Sequence, residues 1–310
     1  MSMRLSARLS SLCQQGMVDS LSVDMMVTLV RKVIPNYDLH YRSGIPDSIP
    51  IHKKDASNQI LSDIRNEGFM LDFVNTLVKT HVDGYMGRPH RITSIQQIVR
   101  EMLDLGYQYD DEFRMFIENS EVQRTPNWGV LKDGEEYPFT FLRLDIAGNS
   151  VLVRENPAEE IDKAYGTLRS IVETAVAKQN GRIWAWEGDG VTEEGMLVGI
   201  SSGATLAAIE IINELFLFNT MRLNLKTPLN VRIAVHAGHC VYFRDMDKVK
   251  KSDTVKRVIE IESKHTALNS VTISGTTGQH FSDLLVSNFE KTMSHGSVQF
   301  YTYGLCWEKP

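Results

Sequence analysis

The amino-acid sequence predicts an α+β fold in which a small helical domain precedes a domain of alternating strands and helices. Three observations carry this prediction. Apolar residues recur at helical spacing in the first third of the chain. A polar stretch with several Pro and Gly residues then interrupts the pattern at 123–136. Strand-like and helix-like segments alternate after it. The 310 residues suffice for two ordinary domains.

The N-terminal domain is predicted to span residues 1–122. Ser22 is a good N-cap for a helix whose apolar residues recur every three or four positions, and Pro35 would end that helix. The other predicted helices occupy 56–65, 70–80, 94–105 and 110–118. This part of the sequence carries no catalytic pattern, so we expect a role in sensing, tethering or control of a dimer.

The C-terminal domain is predicted to span residues 137–310. Its strand candidates are 139–146, 182–187, 231–235 with 240–243, 270–274 and 298–305. Its helix candidates are 157–179, 201–219, 254–265 and 278–286. This order predicts helices on one face of a sheet, as in ferredoxin-like α+β architectures. The most apolar window, 204–218, contains Glu210, Asn213 and Glu214, so we interpret it as a buried helix and expect no membrane insertion.

Composition excludes several classes of protein. The net charge of −6 gives no footprint for wrapping nucleic acid, although a local basic cluster exists at 248–257. The three cysteines lie far apart and form no C-x-x-C pair, which indicates reduced thiols rather than disulfides or a zinc site. The first residues do not resemble a signal peptide. We therefore expect a cytoplasmic protein without a nucleic-acid partner.

Two acidic turns are the candidate chemical site. Asp145 closes a predicted strand and is followed by the small turn Ile146-Ala147-Gly148-Asn149-Ser150, where backbone N–H groups could approach phosphate oxygens. Asp189 lies between two glycines after the strand at 182–187. If the two strands are neighbours, both carboxylates face one point and suit Mg²⁺ or Mn²⁺. Each turn alone is more often an ordinary strand end.

The ordered set of motifs resembles the class III adenylyl/guanylyl cyclase family over about 137–305. The matching runs are Asp145-Ile146-Ala147-Gly148, Gly188-Asp189, Arg232-Ile233-Ala234-Val235-His236-Ala237-Gly238 and Thr272-Ile273-Ser274. The resemblance implies a nucleotidyl cyclase domain that converts a nucleoside triphosphate to a 3′,5′-cyclic nucleotide and pyrophosphate.

The same resemblance implies the roles of individual residues. Two metal ions, Mg²⁺ or Mn²⁺, would be held by Asp145, Asp189 and the carbonyl of Ile146. The phosphate-binding residues would be Ala147, Gly148, Asn149, Ser150 and a late residue, His295, that replaces the family's lysine. Arg232 and His236 would belong to the scaffold. The sites would lie at the interface of a head-to-tail homodimer.

The base-selecting position departs from the family pattern. It is occupied by Ala185, between Trp184 and Trp186, and alanine cannot hydrogen-bond a base edge. A compact base pocket formed by these three residues would suit a pyrimidine, and the run 182–190 resembles the bacterial cyclases of Pycsar antiphage systems, which make cyclic UMP or cyclic CMP. The alternative is that the indoles pack in the core.

The transition-state pair departs as well. The family's Asn and Arg positions hold Lys256 and Glu260 here, so Lys256, or the neighbouring Arg257, would supply the catalytic cation. The alternative is a surface ion pair between Lys256 and Glu260. A catalytically degenerate nucleotide-binding or dimerisation module, or an adenylyl or guanylyl cyclase, remains the competing hypothesis.

Overall fold

The structure is a computed structural model, and it divides the chain into two compact units. It describes all residues except 1–6, 112–113, 188–193, 200–202, 222–224, 279–286, 294–298 and 306–310. The predicted site residues Asp189 and His295 therefore lie outside the described residues. One unit comprises Met1–Gln123 with Trp128–Val130, and the other comprises Arg124–Asn127 with Leu131–Pro310.

The N-terminal unit is mainly helical. In the described residues its helices are α1 (Ala7–Ser20), α2 (Val23–Arg31), α3 (Leu39–Ser43), α4 (Lys53–Glu67), α5 (Met70–Asp83) and α6 (Ile95–Asp104). The apolar faces of the helices pack together with Tyr107 and Phe116 in one core. Ser22 caps α2 as predicted, because its Oγ accepts a hydrogen bond from the Met25 N–H at 3.2 Å.

The helix predicted at 110–118 was wrong. The described residues of this segment belong largely to two antiparallel strands, β1 (Tyr107–Asp110) and β2 (Met115–Glu118). Tyr109 lies opposite Phe116, and the two rings meet edge to face with centroids 5.4 Å apart. Cross-strand aromatic pairs of this kind stabilise a hairpin that a short sequence window does not reveal.

The C-terminal unit contains a seven-stranded sheet with helices against it. In the described residues its elements are β3 (Glu136–Ala147), α7 (Asn149–Glu155), α8 (Ala158–Lys178), β4 (Arg182–Glu187), β5 (Glu194–Gly199), α9 (Gly203–Met221), β6 (Asn230–Val241), α10 (Met246–Val249), α11 (Asp253–His265), β7 (Ser270–Ser274), α12 (Gly275–Gly278), β8 (Glu290–Met293) and β9 (Gln299–Gly304). The strand order is β4-β5-β3-β6-β7-β9-β8.

The strand order confirms the ferredoxin-like α+β fold. The chain runs β3-α8-β4-β5-α9-β6, and in the sheet β3 lies between β5 and β6, antiparallel to both, with β4 outside β5. This is the split β-α-β arrangement. Strands β5 and β8 were not predicted; β5 contains two glycines, which lower its apparent strand propensity. The helix predicted at 278–286 falls almost entirely outside the described residues.

The two faces of the sheet differ in chemistry. Leu142, Leu144 and Ile146 of β3 point into an apolar core shared with α8 and α9. Side chains alternate along a strand, so Arg143 and Asp145 lie on the opposite face. Helix α11 packs on that opposite face, where its Glu262 contacts Arg143. Helices therefore cover both faces, and the prediction of helices on one face was wrong.

Helix α9 is the one helix in the described part of the chain that is long and apolar enough to cross a membrane. Its position in the fold accounts for that composition. Ala207, Ala208, Ile211 and Leu215 are buried in the core beneath the sheet. Burial against α8 and the strands is the usual reason for an apolar helix inside a globular unit.

Candidate active site

Asp145 lies in a row of charged residues that crosses four strands. In the backbone register it is opposite Arg232 of β6 on one side and Glu194 of β5 on the other, and Glu194 is opposite Glu187 of β4. Strands β3 and β4 are not direct neighbours, because β5 separates them, so the simple adjacency considered from the sequence does not hold. Glu187, the last residue of β4, and Glu194, the first residue of β5, nevertheless lie in the same cross-strand row as Asp145.

This register relates the two acidic turns of the sequence. Gly188-Asp189-Gly190 directly follows Glu187, the last residue of β4. The carboxylate of Asp189 itself lies outside the described residues. Among the residues that the structure describes, no group of three or more His, Cys, Asp or Glu side chains is arranged to hold a metal ion. Asp145 is thus the described candidate ligand.

Asp145 belongs to a network of four charges. Its Oδ2 accepts a hydrogen bond from Nη2 of Arg232, and its side chain is 18% exposed. The Nε of Arg232 lies 3.0 Å from Oε1 of Glu262, which is 4% exposed. Oε2 of Glu262 accepts a hydrogen bond from Nε of Arg143 at 3.3 Å. The network pairs two carboxylates with two guanidinium groups, so it is neutral, and it fixes the orientation of Asp145.

The electrostatics of this network follow from burial. Burial raises the pKa of Glu262, and the nearby Asp145 charge raises it further, against the opposing effect of Arg232 and Arg143. The hydrogen bond to Asp145 raises the pKa of the Arg232 guanidinium, which stays charged. Residues Arg143 and Glu262 were not identified from the sequence. The sequence does contain one indication of Glu262: it lies four residues after Val258 of α11, so it falls on the apolar face of the helix.

The turn after Asp145 has the predicted backbone form but a different side-chain arrangement. Gly148 has φ +71°, a left-handed conformation that favours glycine. Gly148 and Ser150 are exposed and Ala147 is half-buried. Asn149 is instead buried, and its Oδ1 accepts a hydrogen bond from the Tyr165 hydroxyl. The inward side chain leaves the backbone of Asn149 as its part in the predicted phosphate-binding turn, and that role stays a prediction.

Ile146 can contribute only through its backbone. Its side chain is 4% exposed and belongs to the core that β3 shares with α8 and α9. The role of metal ligand that the resemblance implies would fall to its carbonyl, in the last part of β3. Carboxylate and carbonyl oxygens form the hard donor set that Mg²⁺ and Mn²⁺ require, so the residues present fit such an ion.

A β-bulge separates the two tryptophans of β4. Ile183 pairs with Leu197 and Ala185 with Met196, so Trp184 is an extra residue in the strand. Without the bulge, residues two apart would share a face. With it, Ile183 and Trp186 face the α8 core, whereas Trp184 faces the other side.

Trp184 is held in an aromatic cluster. Its Nε1 donates a hydrogen bond to the carbonyl of Pro126 at 3.0 Å, and its ring meets Phe139 with centroids 5.1 Å apart. It also forms one wall of a cavity of about 490 Å³ together with Tyr242 and Arg244. The indole therefore combines core packing with one exposed edge on a cavity.

Trp186 is half-buried and packs against the core of the C-terminal unit. It lies against the α8 core, with the guanidinium of Arg169 5.4 Å from its ring centroid. This placement favours the alternative of core packing for Trp186, and its role in a base pocket stays a prediction. Ala185, at the predicted base-selecting position, is half-buried. It is opposite Met196 of β5, and Met196 is opposite Arg143 of β3, so Ala185 lies on the same face of the sheet as Arg143.

The predicted catalytic cations lie next to each other on α11. The Nζ of Lys256 is 3.3 Å from Oδ1 of Asp253, and its side chain is 63% exposed. Nη1 of Arg257 is 2.6 Å from Oε2 of Glu260, which also pairs with Lys264. Lys256 therefore does not pair with Glu260, but it does lie on a charged surface of α11 in an ion pair, as the alternative interpretation of this helix expected. Exposed pairs of this kind contribute little free energy, so Lys256 can exchange its partner.

His236 has the scaffold role expected for it. Its Nδ1 lies 2.8 Å from Oγ of Ser274 at the end of β7. Burial, with a smaller contribution from the Arg257 charge, lowers the pKa of His236 to about 4. The imidazole is therefore neutral near pH 7, and it links β6 to β7 through a hydrogen bond.

Comparisons with known proteins find similarity in fold. No family model matches the sequence, and no curated protein matches it. Matching solved structures include the adenylate/guanylate cyclase/hydrolase from Silicibacter pomeroyi, with 19% identity over 56% of this chain and 99% of that chain, and a TM-score of 0.46. The monomeric guanylyl cyclase domain of the RhoGC fusion protein from Blastocladiella emersonii has 18% identity over 56% and 98%, with a TM-score of 0.44.

A third match is the guanylate cyclase domain of RhGC from Catenaria anguillulae in complex with GTP. Its identity is 18% over 54% of this chain and 97% of that chain, with a TM-score of 0.41. These neighbours are adenylyl and guanylyl cyclase catalytic domains, and the similarity covers about half of the present chain. Identity at this level concerns the fold and does not transfer an activity.

Proposed function

We propose that the C-terminal unit is a nucleotidyl cyclase that converts a nucleoside triphosphate to a 3′,5′-cyclic nucleotide and pyrophosphate. One observation supports this above the others. Asp145 of the first acidic turn shares a cross-strand row with Glu187, the residue that directly precedes Gly188-Asp189-Gly190. Two turns that are 44 residues apart in sequence thus start from one end of one sheet.

The ions of this proposal would be held by oxygen ligands. Asp145, the Ile146 carbonyl and Asp189 would bind Mg²⁺ or Mn²⁺, two per site. When bound, the ions would neutralise the triphosphate and lower the pKa of the attacking hydroxyl. Arg232 fixes the orientation of Asp145.

The chain's own residues would position the nucleotide. The exposed turn at Gly148, with the hydroxyl of Ser150, offers hydrogen-bond donors to phosphate oxygens. The ribose 3′-oxygen attacks the α-phosphorus in line, the bond from the α-phosphorus to the bridging oxygen breaks, and pyrophosphate leaves. A cation that approaches the leaving group stabilises the charge that develops there.

We assign that cation to Lys256 of a second copy, assisted by Arg257, in a head-to-tail homodimer. The 63% exposed Lys256 is paired only with Asp253 among its described partners, and Asp253 is fully exposed. A phosphate can replace this weak partner at small cost. Arg257 is less available, because Glu260 holds it at 2.6 Å.

The proposed substrate is a pyrimidine nucleotide, UTP or CTP, and the proposed setting is cytoplasmic antiphage signalling of the Pycsar type. The methyl group of Ala185 cannot read a purine edge. The Trp184 N–H is already engaged by Pro126, so it is not available as a base donor. A single-ring base needs less room beside this indole than a purine.

A direct assay tests the activity. The full chain is incubated with Mn²⁺ and each of ATP, GTP, UTP and CTP, and products are identified by mass spectrometry. We expect cyclic UMP or cyclic CMP. Asp145→Asn, which keeps an acceptor for Arg232, and Asp189→Ala should each reduce turnover at least ~100-fold. Asp162→Asn, an exposed aspartate on α8, is the matched control and should retain activity.

The same assay separates the alternatives. Cyclic AMP or cyclic GMP as the product would retain the cyclase and refute the pyrimidine assignment. No product from any nucleotide, with folded and dimeric protein, would favour a nucleotide-binding or dimerisation module. The pairing of Arg257 with Glu260 is the observation that favours this second function, because it occupies a candidate catalytic cation.

A further inference from the structure

Arg232 lies between two carboxylates and forms a complete hydrogen bond with only one of them. Its Nη2 donates to Asp145, whereas its Nε is 3.0 Å from Oε1 of Glu262 without the alignment of a hydrogen bond. Both Nε of Arg232 and Oε1 of Glu262 are buried without a hydrogen-bond partner in the described residues. Most buried polar atoms in proteins have an aligned hydrogen-bond partner, so these two atoms are exceptions.

Because the two atoms are only 3.0 Å apart, a small rotation of the guanidinium would be enough to form the missing hydrogen bond. The rotation would bring Nε into line with Glu262 and would weaken the bond from Nη2 to Asp145. Glu262 is held in place for this exchange, because Oε2 is bonded to Arg143 at 3.3 Å and the side chain is 4% exposed. Arg232 thus has a second carboxylate, that of Glu262, at 3.0 Å, and Arg143 holds this carboxylate in position.

We propose that Glu262 is a positioning residue that takes over Arg232 when a divalent cation binds Asp145. The inference rests on the proposed function, since it assumes that Asp145 is a metal ligand. A cation at Asp145 competes with the guanidinium for the same carboxylate. With Glu262 present, the displaced Arg232 keeps a counter-charge. Without it, Arg232 has Asp145 as its one described carboxylate partner, and its displacement would leave a partly buried charge unpaired.

The test measures metal binding in the full-length protein without nucleotide. Free Mn²⁺ is followed by electron paramagnetic resonance during titration, and folding is checked by circular dichroism. Glu262→Gln should weaken Mn²⁺ binding about tenfold, the effect of one lost charged hydrogen-bond partner. Glu173→Gln removes an arginine-paired carboxylate from the surface of α8 and should bind as the unmodified protein does.

Two further variants test whether Glu262 acts through Arg232. In Arg232→Met the competitor is absent, so Mn²⁺ should bind at least as tightly as in the unmodified protein. In the double variant Arg232→Met/Glu262→Gln, the Mn²⁺ affinity should lie within about threefold of that of the unmodified protein. The loss of Glu262 should have little effect once Arg232 is absent, because the two substitutions are coupled. Arg232→Met also keeps the test informative if Glu262→Gln does not fold.

Each outcome is decisive. Unchanged binding in Glu262→Gln refutes the proposal. Equal weakening in the single Glu262→Gln and the double variant means that Glu262 acts by its charge alone, which also refutes it. Loss of binding in Arg232→Met shows that Arg232 is not a competitor and has the same consequence. Absence of Mn²⁺ binding in the unmodified protein would instead refute the metal site itself, and the proposed function with it.

Discussion

The neutral, half-buried His236 leads to a prediction about stability and pH. We consider His236→Asn, because the asparagine side chain can place a polar atom near the position of Nδ1 and retain the bond to Ser274. The ordinary pKa of histidine is 6.5, and that of His236 is lowered to about 4. Between these two values the unfolded chain binds a proton that the folded protein does not bind.

The sign of the effect follows from this difference in bound protons. The free energy of unfolding decreases as the pH falls from about 6.5 towards 4, and the loss is complete below the folded pKa. Between pH 7 and pH 4.5 the loss from this group is about 2 kcal/mol. His236→Asn removes this contribution, so the variant should be less sensitive to acid by about the same amount.

The assay is urea denaturation of both proteins at several pH values from 4.5 to 7. The quantity of interest is the difference between the two proteins, because the contributions of all other titrating groups, including Glu262, largely cancel. Between pH 7 and pH 4.5 the free energy of unfolding of the unmodified protein should fall by about 2 kcal/mol more than that of His236→Asn. Parallel curves would show that His236 binds its proton equally well in the folded and unfolded protein, and would refute a lowered pKa.

Two other predictions concern β4 and α11. Trp184→Phe keeps an aromatic ring but removes the hydrogen-bond donor to Pro126. It should lower the free energy of unfolding by about 1 kcal/mol more than Trp186→Phe, because Nε1 of Trp186 has no hydrogen-bond partner in the described residues. Urea denaturation of both variants measures this difference. Lys256→Ala should lower kcat about tenfold or more, whereas Lys264→Ala, an equally exposed lysine on the same helix, should not; unchanged turnover in Lys256→Ala would assign that residue to the surface.

Part of the site could be predicted because it depends on local sequence. Asp145 ends a run of strand-forming residues and precedes Gly148, whose left-handed conformation requires little more than the residue type. The same is true of Ser22, whose capping bond spans only three residues. Short-range rules of this kind are satisfied within one turn or one strand end, so a single sequence is enough to apply them.

The remaining features depend on contacts between distant segments. The bulge at Trp184 is defined by the pairing with β5, and β5 itself has no clear strand pattern. From the sequence, Trp184 and Trp186 would share a face, whereas in the sheet they face opposite sides. Asn149 illustrates the same limit, since its inward orientation depends on Tyr165, sixteen residues later. No local pattern specifies such partners.

The segment 232–238 shows how a scaffold motif serves a site to which it contributes no reacting group. Arg232 joins Asp145 to Glu262, and His236 joins β6 to Ser274 of β7. At Gly238 an added Cβ would lie 2.9 Å from Cγ2 of Thr254, so only glycine allows the first turn of α11 to pack this closely.

The Gly238 contact also positions the candidate catalytic lysine. Oγ1 of Thr254 donates a hydrogen bond to the carbonyl of His239 at 2.6 Å, which ties the start of α11 to β6. Lys256 lies two residues further along the helix. The strand that orients the carboxylate of Asp145 therefore also sets the place from which Lys256 extends. A shift of β6 would therefore move two groups of the proposed site together, the carboxylate of Asp145 and the ammonium group of Lys256. This coupling explains why the polar residues of the motif matter to the proposed activity without touching the substrate.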